Sequence, residues 1–362
     1  AVNRDLGKVK KSYDKDCEAI KVKPDNPKNY YNIAITFKEA GKIEDAEENY
    51  RKAINIDPKY IDAFHNLALI HEERGEIKEA LNIAKKVWKF EVDSQDINYS
   101  IGIMSLQLGH LREGWRLFEY RWKVPQYKEV IWPFQGKPVW NGERDKKIVV
   151  WKEQGIGDQI IFLSLVSEVK QICDVLSVYV DPRLRSLCMR AMPDINFIVD
   201  EKALKKEKCD FHLPIQSLGG LLRNDISDFD RAIKGYLKAD PERVESIRNE
   251  LKLDGKTVVG ISWRSFHTKF KTKSIQLKDM ERIFSGLDVV LVNLQYGNVE
   301  DEIREFKKET GIEVVQCSSV DNREDLDGLA ALIEVCDLVV SIPNVTVHLA
   351  GSLAKETWVM LP

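Results

Sequence analysis

The spacing of apolar residues changes near residue 146. Up to there, helix-forming stretches are punctuated by single glycines and prolines. Beyond it, short runs rich in Val, Ile and Leu alternate with amphipathic helical stretches. The runs "KIVVW", "LSVYV", "NFIV" and "CDFHLPI" come first. A polar, Lys-rich stretch at 202–208 lies within this first group, and "TVVGISW", "DVVLVNLQY", "GIEVVQC", "DLVVSI" and "ETWVML" form the second. They read as strands buried on both faces, as in parallel sheets wrapped by helices. Between the two groups, "LKADPERVESIRNELKLDGK" reads as linker plus helix, with Asp240 as cap and Pro241 as first helical residue.

The first third repeats itself. Gly7, Gly41, Gly75 and Gly109 are each 34 residues apart. In the same frame Asn32, Ile33 and Ala34 match Asn66, Leu67 and Ala68. Ala46 matches Ala80, and Pro24 matches Pro58. Gly41 and Gly75 stand where one helix must turn into the next, the small Ala34 and Ala46 let paired helices approach, and Pro58 stops the second helix. This pattern resembles tetratricopeptide repeats. The divergent unit "GHLREGWRLFEYRW" loads Trp115, Phe118, Tyr120 and Trp122 onto the last helix. They read as a face for docking the following domain, or as an aromatic binding site.

Composition narrows the class. The 362 residues suffice for two or three domains, and 43% apolar content is ordinary for a globular chain. A formal net charge of −3 supplies no global basic field for nucleic acid. Six cysteines form no CxxC pair and have no His at metal spacing, so they read as reduced core thiols of a cytoplasmic protein, with no metal expected. No apolar run reaches the ~18 residues of a membrane span.

Three loops at predicted strand ends carry the candidate chemistry, because ligands of doubly wound sheets bind outside the carboxyl ends of the strands. The first, "VVWKEQGIGDQIIF", reads as strand, Gly-rich turn, helix. A dinucleotide loop would need a third glycine where Ile160 stands, so the match is weak. Gly155 and Gly157 then serve a tight backbone turn, with Gln154 beside them. Asp158 either caps the helix or acts as a general base on an acceptor hydroxyl. The second, "SWRSFHTKFKTKS", gathers Arg264, His267, Lys269, Lys271 and Lys273. It reads as a solvated basic loop or as a clamp on a diphosphate leaving group. The third is "VVSIPNVTVHLAGS". There Pro343, Asn344, Val345 and Thr346 turn into a helix starting near Thr346, whose free N–H groups suit phosphate. Thr346 offers a hydroxyl, and His348 is either a packed core residue or a donor contact.

Together "GHLREGWRLFEYRW", "WNGERDKKIVVWKEQGIGDQIIF", "VGISWRS", "VNLQYG" and "DLDGLAALIEVCDLVVSIPNVTVHLAGSLAKETWVMLP" resemble bacterial proteins that fuse tetratricopeptide repeats to a glycosyltransferase domain of the heptosyltransferase type. The resemblance implies a GT-B fold. Residues 1–125 would be helical repeats, 126–240 a first Rossmann-like half on the acceptor side, and 241–362 a second half on the donor side. It further implies an inverting, metal-independent enzyme with no cofactor, using a nucleotide-diphosphate sugar as co-substrate. Asp158 would be the base, Arg264, Lys269, Lys271, Lys273, Asn344, Val345, Thr346 and His348 would meet the donor, and Gln154, Gly155 and Gly157 would form the acceptor-side loop. The family's Asp-Thr-Gly turn falls on Pro343, Asn344 and Val345, so the acid that would meet the donor sugar is missing. Its crossover helix would follow Pro362. Expected partners are a nucleotide sugar, a protein, glycan or lipid-linked acceptor, and a protein partner or second copy at the repeats. The alternatives are an inactive scaffold carrying an interaction module, and a nicotinamide or flavin oxidoreductase.

Overall fold

The computed structural model describes residues 13–125, 132–134, 136–231, 234–253, 255–265 and 274–361. The chain divides into two compact units, Ala1–Val130 with Arg223–Ile226, and Ile131–Leu222 with Ser227–Pro362.

The first unit is built from antiparallel helix pairs: α1 (Pro27–Glu39), α2 (Ile43–Ile56), α3 (Ile61–Glu73), α4 (Ile77–Trp88), α5 (Gln95–Gln107) and α6 (Leu111–Phe118). The 34-residue glycines explain the turns. Gly41, Gly75 and Gly109 all sit at φ of 74–75°, the left-handed region that side chains resist. At each, the glycine N–H and the next N–H close back onto carbonyls of the finished helix. Lys42 N reaches Phe37 O at 2.9 Å, Glu76 N reaches His71 O at 2.8 Å, and His110 N reaches Ser105 O at 2.8 Å. The matched Ala34 and Ala68, and Ala46 and Ala80, are buried between helices. In α5 the approach is closer still, since a Cβ on Gly102 would lie 2.7 Å from the backbone N of Phe118. The aromatic load has local partners. Phe118 and Trp122 sandwich the fully buried Arg121 at 4.5 Å each, and Trp115 Nε1 donates to the Arg223 carbonyl at 2.7 Å.

The second unit holds two parallel sheets. Each of the nine expected runs falls on one strand, β2 starting one residue before its run: β1 (Lys147–Trp151), β2 (Val175–Tyr179), β3 (Asn196–Ile198), β4 (Phe211–Pro214), β5 (Val258–Ser262), β6 (Val290–Asn293), β7 (Val314–Val315), β8 (Leu338–Ser341) and β9 (Thr357–Val359). The orders are β3-β2-β1-β4 and β7-β6-β5-β8-β9, with every pairing parallel. In both sheets the strand order reverses beside the first strand, between β1 and β4 and between β5 and β8. Crevices open at such switch points. The helices used below are α7 (Ile156–Leu163) after β1, α8 (Arg185–Ala191) after β2 and α9 (Pro241–Leu251) between the sheets. In the second half they are α10 (Glu300–Thr310) after β6, α11 (Leu326–Glu334) after β7 and α12 (Val345–Ser352) after β8. As expected, Asp240 caps α9, accepting from the N–H groups of Glu242 and Arg243, with Pro241 in the first turn.

The core follows the pattern of β5. Val258 joins the large cluster that runs from Ile148, Val150 and Leu213 of the first sheet to Leu329, Leu332 and Leu349 of the second half. Val259 and Ile261 face the other way, into a cluster with Trp263, Phe284 and Phe306. All five residues of β5 are buried, the mark of a strand covered on both faces.

Candidate active site between two helix N-termini

The switch point of the first sheet delivers Asp158. The N-cap of α7 is Gly155, and Asp158 is the third residue of the helix proper. The backbone N–H groups of Gly155 and of Asp158 itself lie on the side of its charged form. The N-cap role considered for Asp158 therefore belongs to Gly155. Burial raises the carboxyl above the usual aspartate range, with the charge of His348 and the two backbone N–H groups only partly opposing it. The result is a partly desolvated carboxylate more basic than a surface one.

The two glycines have a different purpose from the expected tight turn. Neither has a positive φ, and Gly155 sits at φ −60°, ψ 165°, open to any residue. What Gly157 supplies is space. A Cβ there would come 3.1 Å from Cδ2 of His348 and 3.9 Å from Cγ2 of Val345. The neighbouring amides staple the loop. Gln154 Nε2 donates to Gln216 Oε1 at 3.1 Å, on the segment leaving β4, and Gln216 N donates to Glu153 Oε1 at 2.9 Å. The buried Gln159 donates to the Gln154 carbonyl and accepts from Asp181 N at 2.8 Å. Asp181, the acid a dinucleotide site would require, is bonded to Arg183 and caps its own turn.

The switch point of the second sheet delivers α12. Its N-cap is Asn344, whose Oδ1 accepts from Thr346 N at 3.0 Å and whose Nδ2 donates to Ser262 Oγ at 2.8 Å. The helix starts at Val345, one residue before the expected Thr346. The hydroxyl of Thr346 is fully enclosed and has no hydrogen-bond partner, so it does not present itself to an open cleft. His348, half-buried, lies beside Gly157. Burial pulls its imidazole below the ordinary histidine range, and the Asp158 carboxylate partly opposes this. Asp158, Gly157, Val345 and His348 thus meet where the N-termini of α7 and α12 approach each other.

Arg264 is not among them. Its guanidinium donates to the Asn298 carbonyl at 2.7 Å and pairs with Glu302 of α10 at 3.1 Å. Glu302 also accepts from Trp263 Nε1 at 2.7 Å. Arg264, expected to meet the donor, is held here by a carboxylate within reach. Lys269, Lys271 and Lys273, with His267, lie outside the described residues. Among the described residues, no group of three or more His, Cys, Asp or Glu could hold a metal ion.

One feature escaped the sequence reading. A cavity of about 660 Å³ opens at the ends of β6 and β7, with Asn293, Gln295, Ser318, Asn322 and Arg323 in its walls. Gln295 is its buried hinge. Its Oε1 accepts from Ser262 Oγ, Trp263 N and Arg264 N at 2.8–3.0 Å, which ties the cavity to the cap network of α12. Scattered amides and serines carry no periodic signal, so nothing in the pattern marked them.

Comparison with known proteins places the first unit. Residues 36–75 match the TPR repeat family. The chain therefore carries tetratricopeptide repeat sequence, followed by a parallel-sheet α/β region. Protein FlbA of Caulobacter vibrioides is 28% identical over 243 residues, which is 61% of this chain and 40% of FlbA. The chain thus spans well under half the length of that relative. The family 9 glycosyl transferase from Veillonella parvula is 12% identical over 60% of this chain and 86% of its own, with a TM-score of 0.42. A tetratricopeptide repeat protein from Parabacteroides merdae is 24% identical over 35% and 50% of the two chains, with a TM-score of 0.31. Among the described residues no helix is long and apolar enough to cross a membrane.

Proposed function

We propose that the α/β unit moves a sugar from a nucleotide-diphosphate sugar to an acceptor hydroxyl, with inversion and without a metal. The observation that carries this is the meeting of Asp158 with the N-terminus of α12, at the switch points of two parallel sheets. In this reading the Asp158 carboxylate takes the proton of the acceptor hydroxyl. The oxygen attacks the anomeric carbon from the face opposite the phosphate. The bond to phosphate breaks, and its electron pair leaves with the nucleoside diphosphate. The N-terminal dipole of α12 and the lysines of the 263–273 loop oppose the charge that develops. Neutral His348 is the donor-side neighbour of the base, and the polar cavity at β6 and β7 is wide enough for a nucleoside. The repeats recruit a protein partner or acceptor.

A second reading has its own observation. Asn344 fills part of the α12 N-terminus, and Glu302 occupies Arg264. A scaffold of this type without chemistry, carrying repeats that bind a partner, would tolerate both. Calorimetric titration with a panel of nucleotide sugars separates the two. Saturable binding of one sugar nucleotide supports transfer, and no binding across the panel supports the scaffold.

A further inference from the structure

The segment 316–325, which leaves β7 and enters α11, walls the cavity and is gripped at both ends by one helix. Arg243 and Glu250 stand seven residues apart on α9, two turns along the same face. At the far end Arg243 forms a two-pronged pair with Asp325, Nη1 to Oδ1 at 3.0 Å and Nη2 to Oδ2. At the near end Glu250 gathers four donors from three consecutive residues. Oε1 accepts from Ser318 N at 2.7 Å and Ser318 Oγ at 2.9 Å. Oε2 accepts from Ser319 Oγ at 2.6 Å and Cys317 Sγ at 3.5 Å. Led by the Ser319 hydroxyl, these donors hold the carboxyl down to about 2, so the grip persists through the ordinary pH range. Between the two ends, Asn322 Nδ2 donates to the carbonyls of Asn293 at 3.0 Å and Gln295 at 3.2 Å, fastening the segment to the end of β6.

Neither Arg243 nor Glu250 lines the cavity, whereas Cys317, Ser318, Ser319, Asn322 and Asp325 do. A surface carboxylate with four donors from one short turn does more than stay soluble. It fixes the path of that turn, including which hydroxyls are committed and which wall atoms a ligand meets. We propose that Glu250 is a positioning residue for the nucleoside of the donor: with Arg243 it makes α9 a splint that holds the 316–325 wall in its binding shape without touching the ligand. This rests on the donor-binding reading above.

The test uses the whole chain. Glu250→Ala is compared with Glu250→Gln, which removes the charge yet keeps an acceptor. Two quantities are measured: backbone amide hydrogen exchange at residues 320–325, which Glu250 does not touch, and binding of ADP, GDP, UDP and CDP by calorimetry. The expected result for Glu250→Ala is exchange there about tenfold faster, binding of the preferred nucleotide about tenfold weaker and preference among bases reduced, with Glu250→Gln between wild type and Glu250→Ala in all three. Unchanged exchange in Glu250→Ala overturns the splint, whatever the nucleotides do. Faster exchange with undiminished affinity and base preference overturns the positioning role. Wild-type protein that binds none of the four nucleotides overturns the donor reading and the nucleoside role with it, and the exchange rate then still decides whether the splint exists.

Discussion

A Cβ on Gly157 would lie 3.1 Å from Cδ2 of His348, so two helices that belong to different sheets touch through a missing side chain. That contact is what brings Asp158 and His348 into one site. It predicts an unusual response to Gly157→Ala. Alanine favours a helix over glycine by up to about 1 kcal/mol, and pressing on the movable His348 ring costs a similar amount. Global stability should therefore change little, while the site changes. Thermal unfolding checks the first part and NMR titration of His348 the second. An unmoved His348 titration would contradict the contact.

The titratable pair predicts a stability effect with opposite signs. The carboxyl of Asp158 is raised in the folded protein, so folding favours its protonated form, and the contribution it makes at low pH is lost as pH rises through its folded value. At neutral pH the buried charge is therefore a cost. Asp158→Asn, which keeps the shape of the side chain and removes its charge, should raise the melting midpoint at pH 7 and raise it less at pH 4. Differential scanning calorimetry at the two values checks this.

His348 and His212 behave the other way. Both are lowered by burial, and His212 sits among Trp132, Phe134 and Trp151, its Nδ1 accepting from Trp151 Nε1 at 3.0 Å. A depressed group contributes stability above its unfolded value, about 6.5 for histidine, that is lost as pH falls through its folded value. Urea unfolding between pH 7.5 and 5 should show stability falling with acidity. His212→Phe should remove up to about one proton from that slope, roughly 1.4 kcal/mol per pH unit. An unchanged slope would show His212 to be protonated or exposed in the fold.

Two glycines of the repeats separate two causes. At Gly41 nothing lies within 4 Å of a built Cβ, and the cost of Gly41→Ala is the left-handed backbone alone, about 1–2 kcal/mol. At Gly102 the Cβ meets the backbone of Phe118, which cannot swing aside, and Gly102→Ala should cost at least as much, about 1–3 kcal/mol, despite better helix propensity. Chemical denaturation of both variants gives the comparison. Gly102→Ala at wild-type stability would contradict the close packing of α5 and α6.

Much of this architecture was legible because burial imposes spacing. The glycine period marked the helix turns, and the Val/Ile/Leu runs marked the strands of the described residues, although β9, at a sheet edge, is largely exposed rather than buried on both faces. The site was legible in part. Asp158 and His348 were noticed from their places after strands, but their meeting depends on a contact 191 residues apart in sequence that no local pattern encodes. The ion pair of Arg264 with Glu302 was not legible, because position in a loop does not say which carboxylate is nearer, and Glu302 lies on another element. Gln159, Gln295 and Glu250 were missed because a single polar side chain that organises a loop leaves no period.

The central claim, that Asp158 is the base of a sugar transfer, is tested most directly by following nucleoside diphosphate release from the bound sugar nucleotide in wild type and Asp158→Asn. Calorimetric affinity for that nucleotide is measured in parallel. Turnover should fall by about 10²–10⁴-fold while affinity stays within a few-fold, because the base acts on the acceptor and not on the donor. Full turnover by Asp158→Asn would contradict the account.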